Sequence, residues 1–321
     1  MPIEFVFNGY YRSGTTVMYK IIKESNPECL CLYEPLHPHL SEIEKLRLSA
    51  QSNVTQYNMN PWNIYMTNFF NNIKNTYLRL LENIKSKYLK YKYLETTEIL
   101  PTSIEDVIDI FELINSIKAK IVLQPNRCHF ILSDLSEIYN CKFVHIIRNP
   151  IDTWISQTLE PAFILYGCKR AKLIYKLRAT PLGRYVLINY LPYRRWVGGS
   201  FCIHPDYEII REKFNLNLDP RDWLDKMLVV WTYCNYYAFK QAEECDKGMV
   251  VYYEQVTKEP EKWFKIMSDF SGVNFDLKYA KILKPRITKD EKLRKHFVER
   301  LERLGLIDMV NEFYPPKRWF G

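Results

Sequence analysis

The chain has 321 residues, 47% of them apolar and 26% charged, with a formal net charge of +8. That composition supports one large domain, or one domain with insertions, and 24 Tyr against 10 Gly argues against disorder. The positive charge is spread along the sequence, which suits an anionic ligand as well as it suits nucleic acid. No apolar run reaches the length of a membrane span; the longest, from Met227 to Phe239, is interrupted by Thr232 and Asn235. The first residues enter a strand pattern directly, with no signal-peptide pattern, so the expected location is cytoplasmic. Eight cysteines include no Cys-x-x-Cys pair, and no His/Cys partners stand at finger-like spacing from Cys29-x-Cys31, so buried thiols are expected rather than a metal site.

Ile3-Glu4-Phe5-Val6-Phe7 reads as a buried strand, and Val17-Met18 with Ile21-Ile22 starts a helical pattern. Between them lies Asn8-Gly9-Tyr10-Tyr11-Arg12-Ser13-Gly14-Thr15-Thr16. A strand–loop–helix turn of this kind points backbone N–H groups and the positive helix end at one spot, which seats phosphate. Gly9 and Gly14 have four residues between them, as in a Walker P-loop, and Thr16 fills its Ser/Thr slot. Thr15 stands where the Walker lysine belongs; the cation is Arg12, inside the loop. Gly-x4-Gly alone reads equally well as an ordinary βα turn, and the whole Arg-Ser-Gly-Thr-Thr string is what favours an anion site.

A helix over residues 16–24 and a short strand over 29–32 follow. The prolines of Tyr33-Glu34-Pro35-Leu36-His37-Pro38-His39 then stop any helix or central strand. Apolar spacing predicts a long amphipathic helix over 62–88 and a second over 104–116, with Thr102 or Ser103 as its N-cap. The alternation resumes with a strand at 119–123, a helix at 128–139, a strand at 142–147 and a helix from Pro150 to Gln157. Residues 160–222 break the rhythm and are rich in basic and aromatic residues, including Arg194-Arg195-Trp196. A helix at 222–244, a strand at 249–253, a helix at 260–270 and a charged helix at 286–305 complete the chain. The expected fold is α/β: a parallel sheet covered by helices on both faces, with ligands at the carboxyl ends of the strands. The expected organisation is one domain over 1–321, with helical insertions at about 41–117 and 160–222.

A second loop at a strand end carries chemistry. In Arg148-Asn149-Pro150-Ile151-Asp152-Thr153-Trp154-Ile155-Ser156, a helix opened by Pro150 places Ser156 about two turns in, its hydroxyl directed back toward the strand end. An Arg fork plus a hydroxyl suits a second terminal phosphate. In isolation, a surface arginine and a tolerated helix serine explain that string better. Taken with the first loop, it describes one nucleotide site with two phosphate cradles.

Tyr11-Arg12-Ser13-Gly14-Thr15-Thr16 resembles the 5′-phosphosulfate loop of sulfotransferases that use 3′-phosphoadenosine 5′-phosphosulfate (PAPS). Val144-His145-Ile146-Ile147-Arg148-Asn149-Pro150, with Ser156, resembles their 3′-phosphate-binding strand and helix. Val251-Tyr252-Tyr253-Glu254-Gln255-Val256-Thr257-Lys258-Glu259-Pro260-Glu261, then Phe270-Ser271-Gly272-Val273, is similar to a block of the carbohydrate and tyrosylprotein branch. The resemblance covers about 1–40, 118–158 and 248–275 and leaves both insertions unmatched. It implies a P-loop-containing three-layer α/β/α fold, PAPS as donor, and a hydroxyl acceptor on a carbohydrate, another small molecule or a peptide tyrosine. It implies that Arg12, Ser13, Gly14, Thr15 and Thr16 hold the 5′ side, Arg148 and Ser156 the 3′-phosphate, and Tyr253 the adenosine part. Phosphoryl transfer from ATP needs Mg²⁺ beside the Walker lysine. A sulfuryl group is less charged, so Arg12, the loop amides and the helix dipole suffice for the bridging oxygen and no metal is required.

The acceptor hydroxyl needs a base. Tyr33-Glu34-Pro35-Leu36-His37 resembles the Tyr-Glu-Pro stretch after the family's second strand, which makes Glu34 the first choice, His37 the second and His39 the third. The plainer reading has Glu34 capping a turn. Where the family often carries a lysine, this chain has Gln124; either Arg127 substitutes or the cation comes from elsewhere. Arg286, Lys289, Lys317 and Arg318 are candidates for a basic segment closing over the donor. Tyr185, Tyr190, Tyr193 and Trp196 are placed to stack on an acceptor or to pack against the core. Two other readings are a P-loop kinase or NTPase with a degenerate Walker loop, which needs a Mg²⁺-binding acid at a strand end, and a nucleic-acid-binding protein using the basic insertion. The joint motifs favour the sulfotransferase over both, with no nucleic acid expected as partner. No motif specifies the acceptor class or the oligomeric state.

Overall fold

A computed structural model describes residues 3–37, 40, 73–91, 99–157, 200–283 and 289–319. Strand β1 (Ile3–Gly9) is central and pairs in parallel with β3 (Ile121–Gln124) on one side and β4 (Lys142–Ile147) on the other. β2 (Leu30–Tyr33) and β5 (Gly248–Tyr252) add in parallel at the two edges, giving the order β2-β3-β1-β4-β5. The strands are continuous apolar runs rather than alternating ones because helices cover both faces of the sheet.

Helix α1 (Thr15–Ser25) packs on β1 and β2. α2 (Lys74–Lys87) and α3 (Ile108–Asn115) pack on each other, α4 (Leu132–Tyr139) lies against β4, and α5 occupies residues 150–157. α6 (Ser200–Lys213) packs along α7 (Trp223–Glu244), which crosses β4 and β5 on the same face as α4. α8 (Tyr253–Lys258) leaves β5 directly and turns into α9 (Pro260–Ser271), which packs on β4. α10 (Glu291–Arg303) and α11 (Ile307–Phe313) end the chain, with α11 against α7. A 3-10 turn at Leu277–Ile282 contacts both α1 and α9, which puts those helices on one face while α4 and α7 form the other. The result is the three-layer α/β/α arrangement. Alternation along β1 sorts its side chains: Phe5 and Phe7 meet Phe275 at 6.3 and 6.4 Å between ring centroids, while Asn8 points to the α7 face.

The expected elements hold with shifted ends. The helix expected over 62–88 is seen as Lys74–Lys87, its residues before 73 lying outside the described residues. The helix expected over 104–116 is broken: a 3-10 turn at Ile104–Asp106 precedes α3, and Ser103 makes no side-chain cap bond. The helix expected from 128 starts only at Leu132, because Cys128 to Ile131 closes a turn first (3.3 Å) after Asn126 has taken a left-handed conformation. The charged helix begins at Glu291, where Asp290 accepts from the N–H groups of Lys292 and Leu293. Cys31, Cys128, Cys141 and Cys234 are buried free thiols.

Candidate active site

From β1 the chain crosses to β2 on one side of the sheet, and from β4 it crosses to β5 on the other. The crevice between the carboxyl ends of β1 and β4 is therefore the topological switch point, where α/β sheets bind ligands. Both arginine loops open into it.

After β1 the backbone runs tight against its neighbours. A Cβ on Gly9 would fall 2.6 Å from Ile146 Cγ2 and 2.7 Å from Thr15 Cγ2, so only glycine lets the loop leave here. Ser13 N–H donates to the Tyr10 carbonyl (3.1 Å), Arg12 takes φ 63° and Gly14 φ 93°. α1 then begins with no side-chain cap and no acidic residue in its first turn. Its first amides and the positive end of its dipole stay available to an anion. Ser13 and Thr15 are buried in this turn, and Thr16 is half-buried.

The two loops interlock. Arg12 Nε donates to Ser156 Oγ at 2.9 Å, and Arg148 Nη1 donates to the Arg12 carbonyl at 2.9 Å. The Arg148 guanidinium sits 4.8 Å from the Tyr253 ring centroid, and that ring lies so close to Gly14 that a Cβ there would be 2.4 Å away. Arg12, Gly14, Arg148, Ser156 and Tyr253 thus come together from three separate stretches of sequence.

Arg148 is held from behind. Trp231 Nε1 on α7 donates to its carbonyl (3.0 Å). The next residue, Asn149, donates its backbone N–H (2.9 Å) and its Nδ2 (2.7 Å) to Glu254, which also accepts from the Tyr314 hydroxyl (2.6 Å). Asn149 and Asp152 exchange a further pair of 2.8 Å bonds across the first turn of α5. Burial raises the Glu254 carboxyl above its ordinary range, against the pull of Tyr314, Asn149 and the Arg148 charge.

Glu34 occupies the other end of the site. The Tyr33 hydroxyl and Thr16 Oγ1 are 2.9 Å apart, which ties the end of β2 to the first turn of α1. Glu34 follows at φ 46°, with its N–H on the Gln124 carbonyl (2.7 Å) and its carboxylate taking hydrogen bonds from Asn126 Nδ2 and Tyr33. Burial pushes this carboxyl up to about 7, against the opposing pull of Asn126, Tyr33 and Arg12. His37 sits one turn on and donates its backbone N–H to the Glu34 carbonyl (2.9 Å); His39 lies outside the described residues.

Arg127, the candidate to replace the missing lysine, is buried. Its Nε, Nη1 and Nη2 donate to the Ile99 carbonyl, the Tyr11 hydroxyl and the buried Asp206, so it pins the insertion and the loop to each other. Lys317 and Arg318 lie exposed in a short C-terminal turn, and Lys289 is exposed before α10. Arg286, Tyr185, Tyr190, Tyr193 and Trp196 fall outside the described residues.

Sequence reasoning missed a buried polar chain beneath the site. Asn8 Nδ2 lies 3.1 Å from Nδ1 of both His129 and His145, and His145 Nε2 lies 2.9 Å from Asn235 Oδ1. Burial drives His145 down to about 4 and His129 well below its ordinary value, so both imidazoles are neutral. It also missed Asn126, although an Asn one residue past a strand and a proline is a residue type that tolerates φ > 0.

The sequence matches the sulfotransferase domain family over residues 2–297. An uncharacterized protein of Archaeoglobus fulgidus is 59% identical over 324 residues, covering 99% of this chain and 100% of that one. Among solved structures, the sulfotransferase domain from the curacin biosynthetic pathway is 13% identical with a TM-score of 0.38, over 89% of this chain and 79% of that one. The sulfotransferase domain from the Synechococcus PCC 7002 olefin synthase is 15% identical with a TM-score of 0.35, over 89% and 78%.

Proposed function

The chain belongs to the sulfotransferase family, and on that premise we propose that it moves the sulfuryl group of PAPS to the hydroxyl of an acceptor by in-line displacement. The observation that carries this reading is the interlock of the two arginine loops: Arg12 on Ser156, and Arg148 on the Arg12 carbonyl. A nucleotide with a phosphate at each end of its ribose needs two cationic cradles at a fixed separation, and one loop bonded to the other fixes that separation.

In this reading the acceptor oxygen attacks sulfur, the bond between sulfur and the bridging phosphate oxygen breaks, and the acceptor proton passes to Glu34. A carboxyl held at about 7 suits that step, since a base works best with a pKa near the operating pH. His37 is the second candidate for it. Arg12, the amides from Ser13 to Thr16 and the helix end take the charge that builds on the leaving oxygen, so the reading requires no metal. Thr15 and Thr16 add hydroxyl donors on the 5′ side. Arg148 and Ser156 hold the 3′-phosphate, and Tyr253, already stacked under Arg148, borders the adenosine. Among the described residues no helix is long and apolar enough to cross a membrane.

Incubation of the full chain with sulfur-labelled PAPS and a panel of glycans, phenols, lipids and peptides tests the proposal. The expected result is label on at least one acceptor class, lost in Arg12→Ala. Transfer of a phosphoryl group from ATP–Mg²⁺ with no sulfuryl transfer would overturn it.

A further inference from the structure

Two facing strand ends leave the sheet in strained backbone. Glu34 after β2 has φ 46° and Asn126 after β3 has φ 59°. Non-glycine residues enter this region at a cost and stay only where the surroundings hold them. Here they are held to each other. The Glu34 N–H bonds the Gln124 carbonyl, which extends the β2–β3 pairing one step past Tyr33 and Gln124. Gln124 Nε2 donates to Asn126 Oδ1, and Asn126 Nδ2 donates to Glu34 Oε1. The Asn126 carbonyl is hydrogen-bonded by the buried His129, whose Nδ1 faces Asn8 of β1.

We infer that Asn126, backed by Gln124, is the positioning residue of the Glu34 carboxylate, a two-amide chain standing where the family resemblance implies a lysine. The inference rests on the reading of Glu34 as the proton acceptor. An amide cannot deliver charge to the reacting atoms, so the chain fixes which way the carboxylate faces. A lysine paired with Glu34 would hold the carboxylate ionised far below neutral pH and weaken it as a base. A neutral amide donor stabilises the charged form by less than a full cation does and so costs less basicity. The direction seen for Glu34 agrees: burial raises it, and the Asn126 bond is first among the influences lowering it.

Four neighbours bear on the same carboxylate and are unchanged in every variant of the test. Tyr33 precedes it on its own strand, Arg12 reaches it from the loop after β1, and His37 closes its turn. Tyr77 on α2 bonds the Pro35 carbonyl beside it.

The test follows the Glu34 carboxyl directly by carbon-13 NMR of the full chain labelled at the glutamate δ-carbon, with the resonance assigned by its loss in Glu34→Gln. The wild-type midpoint is expected at about 7. Asn126→Gly keeps the left-handed backbone and removes only the side chain, and it shifts the midpoint upward. Gln124→Ala shifts it the same way by less. Asn140→Gly replaces a left-handed asparagine at the opposite end of the sheet, after α4, and leaves it unmoved. Should glycine loosen the loop, Asn126→Asp keeps the backbone preference, adds a like charge and also shifts the midpoint upward. A midpoint unmoved in Asn126→Gly overturns the inference. The readout needs neither donor nor acceptor: absence of sulfuryl transfer from the wild type would remove the functional reading, and the titration would still decide the role of Asn126.

Discussion

Arg12 is the residue on which the site turns, since it carries a cation, an unusual backbone angle and the contact to Ser156 at once. Its neighbour Gly14 has less freedom than its size suggests. At φ 93°, and with the Tyr253 ring 2.4 Å from where a Cβ would sit, Gly14→Ala is expected to cost about 1–3 kcal/mol, read from urea unfolding, and to displace Tyr253. Glu34 makes a prediction of opposite sign. Its folded-state pKa, about 7, lies above the unfolded value near 4.5, so folding favours the protonated form. Stability is full below pH 4.5 and falls as pH rises toward 7. Glu34→Gln removes that loss and should gain on the order of 2 kcal/mol over wild type above pH 7, discounted for partial exposure, with no gain at pH 4. A variant less stable than wild type at pH 8 contradicts the assignment. At this scale the cationic loop residues were legible because glycine spacing, strand context and charge coincide at Arg12, and a strand end, charge and a following proline coincide at Arg148. Asn126 and His145 were not, because a buried amide or imidazole looks in sequence like any loop or strand residue until its partners arrive from other strands.

At the scale of elements, the crevice is held from behind by segments far away in sequence. Glu254 at the start of α8 joins Asn149 at the start of α5 to Tyr314 just past α11. Trp231 on α7 holds the Arg148 carbonyl and meets Trp319 edge-on, at 6.4 Å between ring centroids. Tyr314→Phe leaves the carboxylate short of one donor in a buried place, which costs about 1–3 kcal/mol. It should lower affinity for 3′,5′-ADP and leave that for 5′-AMP nearly unchanged, as calorimetry would show; equal loss for both ligands contradicts a role on the 3′ side. Strand and helix order was readable because parallel strands buried on both faces are short apolar runs between amphipathic segments. Ends were less so. The break before α3 and the late start of α4 follow from turns at Val107 and Asn126 that apolar spacing does not encode.

Across the whole molecule, the face of the sheet under α7 carries polar groups that are neutral only while folded. His145, near 4, and His129, well below its ordinary value, titrate near 6.5 once unfolded. The unfolded chain therefore binds more protons between pH 6.5 and about 4, and stability is full above 6.5 and falls through that window on acidification. The loss is about 2–3 kcal/mol for His145 alone. It is best read in Glu34→Gln, where the opposite slope is absent, from urea midpoints between pH 4.5 and 7.5; a flat midpoint would show that these imidazoles are charged or exposed. The same face positions Asn8 one residue before Gly9, so the stability of the core and the shape of the loop depend on the same strand.

In the proposed function, the loops after β1 and β4 form one site for a nucleotide phosphorylated at both ends of its ribose. Titration calorimetry of the full chain with 3′,5′-ADP, without added metal, beside 5′-ADP and 5′-AMP, tests it most directly. 3′,5′-ADP is expected to bind most tightly, and Arg148→Ala to remove this preference while 5′-AMP binding survives. Equal affinity for all three nucleotides, or a preference untouched by Arg148→Ala, would contradict it.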